Sequence, residues 1–251
     1  MSEISEHDVL GAIAAHGGTA RLLGGRAVMN LCAGQIPDAL RRQSADIDIV
    51  IRGRDRKALK SAMAALGCKG EEEFNLLNGK ERMIFHAGAT KIDIFIDVFR
   101  MCHTLRFGDR LDLHPVTLSP SDLLLTKLQV FHAEDKDIAD AAALLLCCRL
   151  ERESGEVGAI DVRYIGSLLG RDWGLWRTAT GTLGKLEQRA GGICRDADVV
   201  KRLRAKIADL RKDLDRAPRS VGWRLRSIIG ERSVWYELPE EPTTGHPSVT
   251  G

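Results

Sequence analysis

Two aspartates two residues apart, Asp46 and Asp48, open a run that then turns wholly apolar, "DIDIVI". Aspartate is depleted in strands, so an Asp-x-Asp at a strand start needs a physical reason. Strand alternation puts both side chains on one face, about 6.6 Å apart at ~3.3 Å per residue. At an effective dielectric near 20, two carboxylates at that spacing repel by roughly 2–3 kcal/mol. A divalent cation between them removes the repulsion and uses both groups as oxygen ligands. A second strand signal, "KIDIFIDVF", is the longest in the chain and carries Asp93, Phe95 and Asp97 on one face. A carboxylate from it would complete a two-metal site. One ion would lower the pKa of an attacking hydroxyl, and the other would neutralise a triphosphate and its leaving pyrophosphate. Asp93 is favoured as that third ligand because it begins its strand as Asp46 does, between aliphatic neighbours. Asp97, on the same face, stays a candidate.

Gly24-Gly25 lies between a short strand, "ARLL", and a helix, "RAVMNLCAG". Glycine lets a phosphate approach the backbone closely, and a helix N-terminus attracts anions. Taken alone, the pair is an ordinary turn. Arg26 at a helix start is unfavourable for the helix dipole, which suits an anionic partner such as a phosphate. Lys127 sits in an apolar helical run, where a snorkelling, solvated lysine competes evenly with a functional one. Arg41 and Arg42 read as loop charges. His86, His103 and His132 show no metal-ligand spacing, and Trp173 and Trp176 read as core.

The elements that must carry these groups follow from local signals. Ser5 with Asp8 opens a helix that Gly17-Gly18 ends. "DRKALKSAMAALG" is an amphipathic helix closed by Gly67. "FNLLNGKERMIFHAG" reads as a hairpin around Asn78-Gly79, a strong turn dipeptide. "HTLRFGDRLDL" offers one more hairpin. From Ser119 the pattern becomes helical: an N-cap serine, a proline at the first helical position and an acid in the first turn. "KDIADAAALLLCCRL" is a second helix, with at least three more up to about Arg216 and a loop marked by Gly155 and Gly158. The expected fold is α/β (α+β), with a mixed sheet in residues 1–116, an all-helical region over 117–235, and a disordered tail over 236–251.

Bulk properties exclude little and support that division. The 251 residues suffice for two domains, and 44% hydrophobic residues can bury a sizeable core. With 37 basic and 35 acidic residues the net charge is +2, so global charge says nothing about nucleic acid. Residues 201–226 are locally basic, with ten Lys or Arg against three Asp. An ordinary solvated, ion-paired helix face is weighted slightly above a track for an RNA backbone. No stretch approaches a membrane span or a signal peptide, and the six cysteines lack metal or disulfide-scaffold spacing. Free thiols, with Cys147-Cys148 as small buried hydrophobes, suggest a cytoplasmic protein.

The order "LLGGRAV", about twenty residues, "RRQSADIDIVI", then "KIDIFID", resembles the DNA polymerase beta-like nucleotidyltransferase superfamily. "LSPSDLLLTKLQVFHAEDKDIADAAALL" is similar to the helical segment of its bacterial branch, which includes type IV toxin–antitoxin toxins. The resemblance covers about residues 20 to 150. It implies that an N-terminal nucleotidyltransferase core moves a nucleotidyl group from an NTP such as ATP to a hydroxyl or phosphate of RNA, protein or a small molecule. It further implies Mg2+ or Mn2+ on Asp46, Asp48 and Asp93, and nucleotide contacts from Gly24, Gly25 and Lys127, with Asp137 orienting the lysine. Arg26 and Ser44 join the nucleotide-binding candidates. Arg26 stands where the toxins carry Ser or Thr, and a proline-containing loop fills the gap before Asp46. A catalytically silent nucleotide- or RNA-binding module and a tRNA-modifying toxin are the alternatives.

Overall fold

The computed structural model describes residues 4–153 and 158–238. Helix α1 (Glu6–Ala15) starts on a reciprocal capping box between Ser5 and Asp8 and ends at Gly17, whose φ is 81°. Strand β1 (Ala20–Leu23) leads directly into α2 (Gly24–Leu31), and a loop with one 3-10 turn leads to β2 (Ile47–Ile51). Next come α3 (Arg56–Ala65), β3 (Lys69–Gly70), α4 (Glu72–Asn78), β4 (Arg82–Ala87) and β5 (Thr90–Ile96). The five strands form one sheet in the order β1-β2-β5-β4-β3. β2 and β5 run parallel while the other neighbours are antiparallel, so the sheet is mixed.

A small hairpin, β6 (Val98–Arg100) and β7 (Thr104–Arg106), follows, and the rest is helical apart from one two-stranded pair. Helix α5 (Pro120–Leu128) carries the predicted cap: Ser119 Oγ accepts from Asp122 N, with Pro120 at the first position. After it come α6 (Asp135–Cys147), β8 (Leu150–Glu151), β9 (Ile160–Asp161), α7 (Val162–Leu169), α8 (Trp173–Ile193), α9 (Ala197–Arg216) and α10 (Val221–Ile229). The fold is therefore mixed α/β with a helical C-terminal region. One continuous apolar core runs from Ile49 on the sheet through Leu124 and Leu144 to Leu203 and Ile207 on α9. Helix α2 touches β1, β2, α5 and α6, so it joins the sheet to the helices.

Three local expectations are corrected. Asn78-Gly79 is no hairpin turn: α4 occupies Glu72–Asn78, helped by Glu72 and Glu73 at its positive end, and Asn75 bonds both backbone groups of Ile84. The hairpin that does form joins β4 to β5 through Gly88-Ala89, with Gly88 at φ 60°. Thr104–Arg106 pairs backwards onto Val98–Arg100, while Gly108–Arg110 is a 3-10 turn. Cys32 and Cys147 are not free thiols but form a disulfide between the ends of α2 and α6, so thiol content no longer supports a reducing compartment. Among the described residues Cys68, Cys102, Cys148 and Cys194 are free, and no helix is long and apolar enough to cross a membrane. Gly155 and residues 239–251 of the expected tail lie outside the described residues. Tyr236, at the start of that tail, stacks on Phe131 with ring centroids 3.8 Å apart.

Candidate active site

Parallel pairing of β2 with β5 sets Asp48 directly beside Asp93. Register partners share a face, and strands lie about 4.8 Å apart, so the two carboxyls face the same space. Asp46 stands one step before β2 and is exposed. Antiparallel pairing of β1 with β2 places Leu23 opposite Asp48, so the chain turns into α2 beside that carboxyl. Gly24 sits at φ 70°, and a Cβ there would collide with Asp48 Oδ2. A Cβ on Gly25 would collide with Arg42 Nη2. Both glycines are therefore required by close approach, and at Gly24 by backbone conformation as well. No side chain caps α2, whose N-cap is Leu23, so its first amides have no capping partner among the described residues.

The acids of this region fall into two kinds. Asp93, Asp122, Asp137 and Asp140 are buried, and each has a cationic partner. Asp93 takes a two-pronged bond from Arg82 Nε, at 2.8 Å, and Nη2, with Lys91 Nζ 3.3 Å away. Among the described residues no hydrogen bond or ion pair engages the carboxylate of Asp46 or Asp48. Burial, and then the neighbouring Asp93, push Asp48 up from 3.8 to about 6. Lys127 and Lys91 pull it back only in part. A nearby cation would stabilise the ionised form of a carboxylate that burial and a neighbouring acid hold protonated. The donor set is all oxygen, which suits Mg2+ or Mn2+.

Facing these acids are two cations, Arg42 from the loop before β2 and Lys127 from α5, held by acids of α6. Arg42 Nε and Nη2 donate to Asp140 Oδ1 and Oδ2 at 2.8 and 2.5 Å. Lys127 Nζ on α5 lies 2.9 Å from Asp140 Oδ2 and 3.5 Å from Asp137 Oδ1. Asp137 also closes the capping box of α6, accepting from Glu134 N. Asp140 is thus the main anchor of Lys127 and Asp137 the lesser one. Asp140 and Arg42 were missed from the sequence. An aspartate three residues after Asp137, inside "IADAAALLL", was a usable signal, since an acid on an apolar helix face requires a partner.

Three candidates are placed differently from expectation. Arg26 is committed to protein: Nε donates to the carbonyls of Ser44 and Asp46, Nη2 to that of Ala45, and Nη1 pairs with Glu6 at 2.8 Å. Its charge at the start of α2 is answered by carbonyl oxygens and Glu6, and it fixes the strand entry on which Asp46 rides. Ser44 belongs to that same entry, with its Oγ 3.4 Å from Asp46 O. Asp97 lies four residues beyond Asp93, about 13 Å along the strand at ~3.3 Å per residue. There it leaves the alternation with φ 61° and accepts from Gly53 N at 3.0 Å. The structure brings Asp46, Asp48, Asp93, Gly24, Gly25, Lys127 and Asp137 together and leaves Asp97 apart. In the basic 201–226 segment, Lys206, Arg211, Arg219 and Arg226 all have internal partners.

No protein-family model matches this chain, and no curated protein matches it. Among solved structures, the chain is similar to a crystal structure of ANT(2'')-Ia in complex with adenylyl-2''-tobramycin, at 17% identity and a TM-score of 0.39. That likeness covers 55% of this chain and 84% of the other. It is also similar to a solution structure of the antibiotic-resistance factor ANT(2'')-Ia, at 15% identity and a TM-score of 0.38, covering 83% of this chain and 92% of that one.

Proposed function

We propose that this chain is a metal-dependent nucleotidyltransferase, moving a nucleotidyl group from an NTP to a hydroxyl or phosphate acceptor. The observation that carries the reading is the pair Asp46 and Asp48. Among the described residues neither carboxylate has a hydrogen bond or ion pair, and Asp48 lies against the glycine turn, while every buried acid around them is partnered. Asp46 and Asp48 would hold Mg2+ or Mn2+, with Asp93 as the third ligand once Arg82 releases it. The bound cation supplies a lowered pKa at the attacking hydroxyl and charge neutralisation at the triphosphate. The uncapped amides at the start of α2 take phosphate oxygens, and Gly24 and Gly25 let Asp48 and Arg42 close in beside those amides. Lys127 and Arg42, held in place by Asp140 and Asp137, orient the phosphates from the helical side. The acceptor oxygen bonds to the α-phosphorus, a hydroxyl acceptor giving up its proton to solvent, the bond from that phosphorus to the bridging oxygen breaks, and pyrophosphate leaves.

Incubation with each α-phosphate-labelled NTP, Mg2+, and RNA, protein and small-molecule fractions tests this. Wild-type protein should transfer label to one fraction, and Asp46→Asn with Asp48→Asn should abolish transfer while circular dichroism stays unchanged. Equal labelling by the double variant would sink the assignment. One observation favours a second reading, nucleotide binding without turnover: Arg82 and Lys91 together hold Asp93. Tight MgNTP binding by calorimetry with no pyrophosphate release from any acceptor fraction would select it.

A further inference from the structure

A cavity of about 520 Å3 opens between α4, β4, β5 and β6, and Arg82, which lines it, binds Asp93. Its apolar lining is Phe74, Leu77, Phe95, Val98, Met101 and Leu238. Ligand pockets run roughly 300–1,000 Å3, so this one has room for a small molecule. Leu77 is 73% exposed and Leu238 68% exposed on its walls, apolar surface that an occupant would cover. Arg82 joins the cavity to the reacting centre. Its guanidinium lies 5.6 Å from the Phe74 ring and 5.2 Å from the Phe95 ring, and its Nε and Nη2 bind Asp93. Phe95 follows Asp93 by two residues on the same strand face.

The charges around the cavity cancel. Arg100 pairs with Glu81 at 2.9 Å, Arg82 with Asp93, and Lys80 and Glu237 contribute one charge of each sign. A polyanion gains nothing from such a wall, whereas a neutral molecule with a ring or other apolar body buries Phe74, Leu77 and Leu238. We propose that this cavity is the acceptor site, and that the acceptor is a neutral, apolar-bodied small molecule whose hydroxyl reaches Asp93 past Arg82. This rests on the nucleotidyl-transfer reading above and names the acceptor that reading left open.

Naphthalene-2-methanol, an aromatic alcohol, is a direct probe, with glucose as the polar comparator. Titration followed by naphthalene fluorescence should show binding to wild type, weakened at least about tenfold by Leu77→Asp. Leu76→Asp changes the neighbouring leucine, which is 85% exposed and does not line the cavity, and should leave binding unchanged. Equal effects of the two variants, no effect of either, or glucose binding as well as the aromatic alcohol would overturn the site. With α-labelled NTPs and Mg2+, bound naphthalene-2-methanol should take the label. Label reaching RNA or protein but never this alcohol overturns the acceptor assignment and leaves nucleotidyl transfer standing. Probe binding with no label on any acceptor removes the transfer reading, and the acceptor role with it.

Discussion

Replacing Asp140 with alanine tests whether the cationic group on the helical side is held as the geometry describes. Asp140 is fully buried and accepts two bonds from Arg42 while meeting Lys127 Nζ at 2.9 Å. Removing the partner of a buried charge costs about 3–5 kcal/mol, because the charge left behind is neither hydrated nor paired. Here the low end applies. The Arg42 side chain is 23% exposed and can reach water, and Lys127 keeps Asp137 at 3.5 Å. The expected loss for Asp140→Ala is therefore about 3 kcal/mol. Asp140→Asn, which retains one accepting oxygen, should lose roughly half as much. Urea unfolding at pH 7 measures both, read as a lower midpoint at unchanged slope. A cycle with Arg42→Ala should return a coupling above roughly 1 kcal/mol. A loss under about 1 kcal/mol for Asp140→Ala with no coupling to Arg42 would refute the assigned pairing.

Two further outcomes follow from single features. Asp48 in the folded protein holds its proton up to about pH 6, against 3.8 ordinarily, so between those values the folded state binds more protons than the unfolded one. The contribution of Asp48 to metal-free stability should therefore be fully present below about pH 4 and be lost, by up to roughly 3 kcal/mol, as pH rises through 6. Asp48→Asn should flatten that decline, and an unchanged slope in chelator-treated variant protein would contradict the assignment. Thiol titration in guanidinium should find four groups without reductant and six with it, given the Cys32–Cys147 bond. Closing a loop across 115 positions, that bond should stabilise the protein by about 2–4 kcal/mol in unfolding experiments. Six thiols without reductant would exclude it.

What the sequence exposed and what it hid divide along physical lines. Asp46, Asp48 and Asp93 were visible because acid is out of place in a strand, and their shared face follows from a period of two. The start of α5 was visible because Ser119, Pro120 and Asp122 act on their own backbone. Arg42 was invisible: its partner Asp140 is 98 residues away, and a loop arginine has no periodicity to betray it. The Cys32–Cys147 pair was hidden in the same way. Asn78-Gly79 misled because turn chemistry is a local preference, and α4 formed over it with Asn75 anchored to β4. Asp97 misled because alternation assumes an unbroken strand, and its φ of 61° breaks it.

The same pairs that hold the site together decide how it can bind a nucleotide. Arg42 and Lys127 are matched by Asp137 and Asp140, so the cationic side is preorganised but carries no net charge. Arg82 and Lys91 exceed Asp93 by a single charge, and Asp46 with Asp48 more than cancels it. The start of α2 offers only about half an elementary charge. A free triphosphate therefore meets a centre with no positive excess to receive it. Its charge is balanced only if cations arrive too, and the ligands waiting for them are the two carboxylates that no residue neutralises. On the proposed function, metal and nucleotide would bind as one unit, and proteins that place Asn at Asp46 and Asp48 should lose affinity for MgNTP while free nucleotide binds as poorly as before.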